Sequence, residues 1–328
     1  MADPLKIILD VDTGADDALA ILLAVGSPEV ELLGCTTVAG NVPVDQTTHN
    51  TLAVLEIAGR KDVPVARGAA HPLTRRLTTA TFFHGPKGLG QAEVPPPENQ
   101  PLTQAAPAFL VEMANKYRSE LIVVATGPLT NLALALLIDP AFGRKLKKLV
   151  IMGGAVRCPG NITPAAEANF YNDPEAAQAV LQSGANITLV GLDVTGRTVL
   201  AWSELAHLDE DPANLKPAPR LALDILRFYC LTHGVGGGAH LHDPLALGIA
   251  IWPDLVQTEK MQVEVETAGK LTRGLSLGFN RIARDKLVNM GEYDDAVGVE
   301  YEYVANAEVC LQVDAPRFIK IFRERLGL

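Results

Sequence analysis

Ile7-Ile8-Leu9-Asp10-Val11-Asp12-Thr13-Gly14-Ala15-Asp16-Asp17 is the stretch on which the reading of this chain turns. Its apolar first half reads as a strand over Lys6–Leu9. Its second half opens a helix over Asp16–Val25, where acids in the first turn are favoured by capping and by the helix dipole. Capping explains Asp16 and Asp17. It does not explain Asp10 and Asp12 at the end of an apolar strand. Two like charges about 4 Å apart repel by roughly 4 kcal/mol at an effective dielectric of about 20. A hard cation with oxygen ligands is the simplest offset. The calcium-loop spacing of acids found in EF-hands is absent. A phosphoryl-transfer aspartate pair is the other reading of Asp10-Val11-Asp12, but such pairs usually carry Thr or Val where Gly14 stands.

Strand, acidic turn, helix is the first unit of a pattern that repeats outward. Strands are expected at Val30–Thr37, Val63–Ala66, Leu121–Ala125, Leu149–Met152 and Ile187–Val190. Helices are expected between them at Gln46–Ala58, Ala105–Tyr117, Thr130–Ile138 and Pro174–Gln182. The C-terminal third offers strand-like pieces at Met261–Val265 and Val299–Ala305 and a last helix over Pro316–Arg325. Continuous apolar strands alternating with helices predict an α/β fold: an open, mostly parallel sheet flanked by helices, with a Rossmann-like core. No repeat or linker divides the chain, so residues 1–328 are expected to form a single domain.

Functional groups in such sheets lie past the carboxyl ends of the strands. There the sequence places Asp10-Val11-Asp12, Ala39-Gly40-Asn41, Thr126-Gly127-Pro128 and Gly153-Gly154, which should converge on one rim. Two long glycine-bearing segments, Gly68–Pro101 (with His84-Gly85-Pro86-Lys87-Gly88-Leu89-Gly90) and Thr232–His242, read as lids.

Composition narrows the partners. The 328 residues are 48% hydrophobic, enough for a large core, and the formal net charge is -10. An acidic chain without a basic stripe is not expected to bind nucleic acid. The densest basic run, Arg144–Lys148, reads as a solvated helix end. Leu121–Ile138 is the most apolar stretch, but Thr126-Gly127-Pro128 and Asn131 break it, so no membrane span is expected. The four cysteines show no CxxC spacing and are expected as free thiols in a reducing cytoplasm. The Met-Ala-Asp-Pro start lacks the basic and apolar regions of a signal peptide.

Two further clusters carry chemistry. Gly160–Asn169 presents Asn161, Glu167 and Asn169, groups suited to sugar hydroxyls. His240-Leu241-His242-Asp243-Pro244 invites a zinc reading, yet its two histidines sit beside an acidic rim that favours oxygen ligands. Asp243 then joins the carboxylate site and His242 is left as a proton donor or base.

Taken together, these motifs resemble the nucleoside hydrolase family. The resemblance starts with Asp10–Asp17. It continues through Thr36–Asn41, His84-Gly85, Ala125–Asn131, Met152–Gly154, Gly160-Asn161 with Glu167 and Asn169, and His242-Asp243-Pro244, in order along essentially the whole chain. It implies hydrolysis of the N-glycosidic bond of a ribonucleoside, with inversion, and a Ca2+ ion held by Asp12, Asp17, the Thr126 carbonyl and Asp243. It assigns Asp12 as the base that activates water and His242 as the acid that protonates the departing base. Asp16, Asn41, His84, Asn161, Glu167 and Asn169 become substrate-binding residues. The sugar passes through an oxocarbenium-like state. It further implies a homo-dimer or homo-tetramer.

Two positions depart from the family pattern. Thr13 stands where proline is common, which affects turn stiffness. Ala168 stands where many relatives carry an aromatic, so base stacking is expected from Phe82, Phe83 or Tyr229. A nucleoside- or sugar-binding protein without catalysis would not need Asp12 together with His242. A metal-dependent phosphatase would be expected to show a phosphate-cradling loop.

Overall fold

The structure, a computed structural model, describes residues 3–232, 237–280 and 304–328. In chain order it runs β1 (Leu5–Val11), α1 (Ala15–Gly26), β2 (Val30–Thr37), α2 (Val44–Ile57), β3 (Val65–Arg67), α3 (Thr81–His84), α4 (Ala106–Lys116) and β4 (Ile122–Ala125). Then come α5 (Thr130–Ile138), α6 (Phe142–Lys145), β5 (Lys148–Met152), α7 (Ala168–Asn172), α8 (Pro174–Leu181), β6 (Ile187–Val190), α9 (Leu192–Thr195) and β7 (Val199–Ala201). The last part holds α10 (Pro217–Thr232), β8 (Gly238–His240), α11 (His242–Ile251), β9 (Val256–Val265), β10 (Ser276–Phe279), β11 (Ala307–Val313) and α12 (Ala315–Leu326).

Among the described residues, nine strands form one sheet in the order β10-β9-β11-β6-β5-β4-β1-β2-β3. All neighbours from β3 to β11 are parallel; β9 pairs antiparallel with β11 and β10. The predicted open, mostly parallel α/β sheet is what forms. Side chains alternate across it, as the two-residue period of a strand requires. Ile7, Leu9 and Val11 enter one core with α1, α2, α10, α11 and α12. Ile8, Val123, Ala125, Leu149 and Ile151 enter another with α4, α5, α7 and α8.

The order of strands places the site. From β1 the chain winds outward to β2 and β3, then returns to β4 on the other side. The carboxyl ends of β1 and β4 therefore flank the point where the winding reverses, the usual crevice for a ligand in such folds. Asp10 pairs in register with Ala125 across that point.

Several elements lie beyond the expected set. β9 begins at Val256, five residues before the expected Met261, because exposed Gln257, Thr258, Glu259 and Lys260 hide it from an apolar pattern. Residues 299–303 of the expected Val299–Ala305 strand, and residues 233–236 of the second long loop, lie outside the described residues. Lys145 ends α6 and Lys148 opens β5, so the basic run spans a helix end and a strand start.

Candidate active site

The floor of the site is built from three strand ends. Past β1 stands Asp12, whose Oδ2 accepts the Asn41 N–H at 2.7 Å. Glycines on both sides make room for that carboxylate. A Cβ on Gly40 would collide with Asp12 Oδ2, and one on Gly127 would come within 3.0 Å of the same side chain. Glycine in Ala39-Gly40-Asn41 and Thr126-Gly127-Pro128 is thus a requirement of close approach.

Asp17 is the best-satisfied acid. Its Oδ1 accepts from the Thr126 hydroxyl at 2.7 Å and the Asp12 N–H at 3.3 Å. Its Oδ2 accepts from the Gly14 N–H at 2.9 Å and the Asn41 amide at 3.1 Å. Asp10 points behind the floor, taking hydrogen bonds from Thr36 at 2.5 Å and Asn131 at 2.8 Å. Asn131 also accepts from the Ala69 N–H at 2.9 Å, so the same residue ties down the start of the loop that leads to His84.

Electrostatics separates these carboxyls from ordinary surface acids. Burial pushes Asp16 up to about 6 and Asp10 up to about 7. Burial, then repulsion from Asp17, raises Asp12 well above the usual range, and burial with repulsion from Asp16, Asp17 and Asp12 does the same to Asp243. Buried Asp12 Oδ1 and Asp16 Oδ1 have no hydrogen-bond partner. Ligand oxygens of Asp16, Asp17 and Asp243 lie within 4.8 Å of one another. Crowded, buried, under-satisfied oxygens are what a hard cation would satisfy. This group could hold a metal ion, and the residues fit one. The compact trio contains Asp16 where the sequence reading placed Asp12.

Above the floor opens a cavity of about 560 Å³, reached by Asp16, Asn41, His84, Asn161, Glu167, Asn169, His242 and Asp243. Glu167 caps α7: its oxygens accept the N–H groups of Asn169, Gly154 and Phe170 at 2.9–3.2 Å. Burial still raises it to about 7. Asn169, oriented by that cap, donates to the Thr126 carbonyl at 2.7 Å and the Met152 carbonyl at 3.2 Å. Asn161 sits at the exposed mouth, accepting the Ala168 N–H at 3.0 Å.

The opposite wall carries aromatics and imidazoles. His84 Nδ1 accepts the Ala15 N–H at 3.2 Å. Nδ1 also lies 3.7 Å from Asp16 Oδ1. The Tyr229 ring lies 5.9 Å from that of His84. Of the three aromatics named for stacking, Phe83 and Tyr229 reach the cavity, while Phe82 is 78% exposed. His242, first residue of α11, bonds Thr195 through Nδ1 at 2.8 Å, and its ring stacks on His240 at 5.4 Å. Burial, with His240 and His84 nearby, lowers His242 to about 3.

The sequence reading missed the contribution of α9. Leu192, Asp193 and Gly196 line the cavity, and Thr195 holds His242. The signal is present in the chain: this segment follows the carboxyl end of β6, where functional groups of a parallel sheet gather.

Residues 7–320 match the family described as inosine-uridine preferring nucleoside hydrolase. The chain belongs to the nucleoside hydrolase family. It is 40% identical to a probable uridine nucleosidase 2 of Arabidopsis thaliana over 99% of this chain and 98% of that one. It is 36% identical to a pyrimidine-specific ribonucleoside hydrolase of Citrobacter koseri over 98% of each. A solved plant nucleoside hydrolase superposes with a TM-score of 0.88 at 34% identity, covering 98% of this chain and 99% of that one. A purine-preferring ribonucleoside hydrolase from Gardnerella vaginalis gives 0.86 at 36% identity over 98% of each. As a nucleoside hydrolase, the protein hydrolyses ribonucleosides, and it is an N-glycosidase rather than a phosphatase or a non-catalytic binder. Its substrate is a small molecule. No helix among the described residues is long and apolar enough to cross a membrane, and all four cysteines are free.

Proposed function

We propose that this nucleoside hydrolase is calcium-dependent and acts on pyrimidine ribonucleosides, uridine foremost, with inversion at the anomeric carbon. The observation that carries the reading is the buried carboxylate group with unpartnered oxygens on Asp12 and Asp16, whose members Asp16 and Asp243 line the same cavity as His242. Asp12, Asp17, Asp243 and the Thr126 carbonyl would hold Ca2+. Oxygen-only donors suit that ion. When bound, calcium supplies the positive charge that offsets the carboxylates and acidifies a water molecule.

The protein's own groups divide the remaining work. Asp12 takes the proton of the attacking water. The water oxygen bonds C1′ as the C1′–N bond breaks, and the electron pair leaves with the nucleobase. Direct displacement inverts the centre. Asp16, Asn41, Asn161, Glu167 and Asn169 bind the sugar and offset the positive charge that grows on its ring. Glu167 also acts through Asn169, which it orients. His84 lies at the base end of the pocket.

His242 supplies the proton that the base needs. Burial lowers its pKa in the empty site; the negative charge building on the base favours the protonated ring, which gives its hydrogen to the base and is left as neutral imidazole. Solvent reloads the ring after release.

Uridine leads because the relatives at 40% and 45% identity are named as uridine nucleosidases. We assign the protein to nucleoside salvage in the cytoplasm, as a homo-dimer or homo-tetramer of a single 328-residue domain. A panel of uridine, cytidine, inosine and adenosine assayed for free ribose tests the substrate. Uridine should give the highest kcat/KM. Faster release from inosine would sink the pyrimidine preference.

A further inference from the structure

His242 has two ring nitrogens and is held in a defined way. Thr195, fully buried as the last residue of α9, places its hydroxyl 2.8 Å from Nδ1. The contact is between residues 47 positions apart, and the backbone reinforces it. β7 and β8 pair Val199 with His240, and the Leu241 N–H donates to the Thr198 carbonyl at 2.9 Å. The His240 ring then covers one face of His242, nearly parallel at 13°. One nitrogen and one face of the His242 ring are thereby occupied. Nε2 is the nitrogen left for a ligand in the cavity.

We propose that Thr195 is a positioning residue for proton donation to the leaving base: its hydroxyl holds the His242 ring by Nδ1 and so turns Nε2 toward the cavity. A hydroxyl can either donate to Nδ1 or accept from it, so the contact holds the ring whichever way its hydrogens lie. A ring turned away from this contact would take Nε2 away from the base. Thr195 does not itself touch the substrate; it acts through His242. The proposal rests on the reading of His242 as the acid.

The test compares two substrates. Uridine needs its leaving group protonated, whereas p-nitrophenyl riboside releases a stabilised anion. Thr195→Val keeps the buried shape and removes the hydroxyl. It should lower kcat on uridine by about 10- to 100-fold, part of the range of a positioned acid. KM should change less, and kcat on p-nitrophenyl riboside should stay within about twofold, as for a step needing no acid. Thr195→Ser should restore most of the uridine activity. In a His242→Ala background the Thr195→Val change should add nothing, because the two act as one unit. Melting temperatures of all variants identify any that fail to fold, and the Ser variant carries the test if Val does. Equal losses on both substrates in Thr195→Val, or no rescue by Ser, would overturn the role of Thr195 while leaving His242 intact if His242→Ala still separates the substrates. Equal losses on both substrates in His242→Ala would remove the acid assignment and the Thr195 proposal with it.

Discussion

The floor and the wall of the cavity are made in different ways. The floor gathers strand ends adjacent in the sheet, and four of its acids come from eight consecutive residues, Asp10 to Asp17. Its carboxylates are clamped by backbone N–H groups and flanked by glycines that admit no side chain. The wall is assembled from α3, α9, α10 and α11, and its contacts are mostly side chain to side chain, such as Thr195 to His242 and His84 to Tyr229. A floor fixed by main chain can hold an invariant sugar. A wall fixed by side chains can be retuned for different bases by single substitutions, without disturbing the sheet. Relatives named for uridine and for purines on the same fold accord with that division.

The largest effect should come from breaking the floor. Asp12→Ala removes the proposed base and a proposed ligand together, so turnover should fall at least about 1,000-fold. The loss should be similar on uridine and p-nitrophenyl riboside, because water activation serves both. That equality is the signature of a floor residue, opposite to the split expected for His242→Ala. Turnover near wild type in Asp12→Ala would end its assignment as base.

Calcium should separate floor from wall by stability. Burial raises Asp16 to about 6 and Asp10 to about 7 in the folded chain, against a usual carboxylate value of 3.8. A raised folded pKa favours the protonated fold. That contribution is complete below the unfolded value and is lost as pH climbs through about 6 to 7. The metal-free protein should therefore weaken between about pH 5 and pH 8. A cation offsets the charge that causes the loss, so the gain in Tm on adding calcium to chelated protein should be larger at about pH 8 than at about pH 5. Thermal denaturation at the two pH values, with activity measured before and after calcium is returned, checks this. An equal gain at both would detach the ion from these carboxylates.

The same contrast explains what could be read from the sequence. Val30–Thr37, Thr130–Ile138 and Ile187–Val190 were legible to the residue because local apolar runs and breakers define them. The convergence of Asp12, Asn41 and Thr126 was legible because strand ends of a parallel sheet must share a rim. Asp193 and Thr195 follow the same rule, and one more application of it would have reached them. The orientation of His242 was not legible: it depends on a partner 47 positions away, and no periodicity encodes a single side-chain hydrogen bond. Glu167 shows the limit of reading by residue type. An acid in a polar loop suggests a sugar ligand, and only the fold reveals that its oxygens also cap a helix.

Asp10 supplies the smallest effect and the sharpest control. It shares a strand end and near-complete burial with Asp12, two residues away. Its Oδ1 accepts from Thr36 and Asn131, groups behind the floor. Asn in its place keeps an acceptor oxygen for both donors and removes a carboxyl whose ionisation burial opposes. Asp10→Asn should therefore leave the fold intact and lower kcat by less than about tenfold, because a residue behind the floor acts only through placement. The pH dependence of Tm in chelated protein should flatten near neutrality, since one raised carboxyl no longer ionises there. A loss matching that of Asp12→Ala would move Asp10 into the reacting group and erase the distinction between a carboxyl that holds the floor and one that works on it.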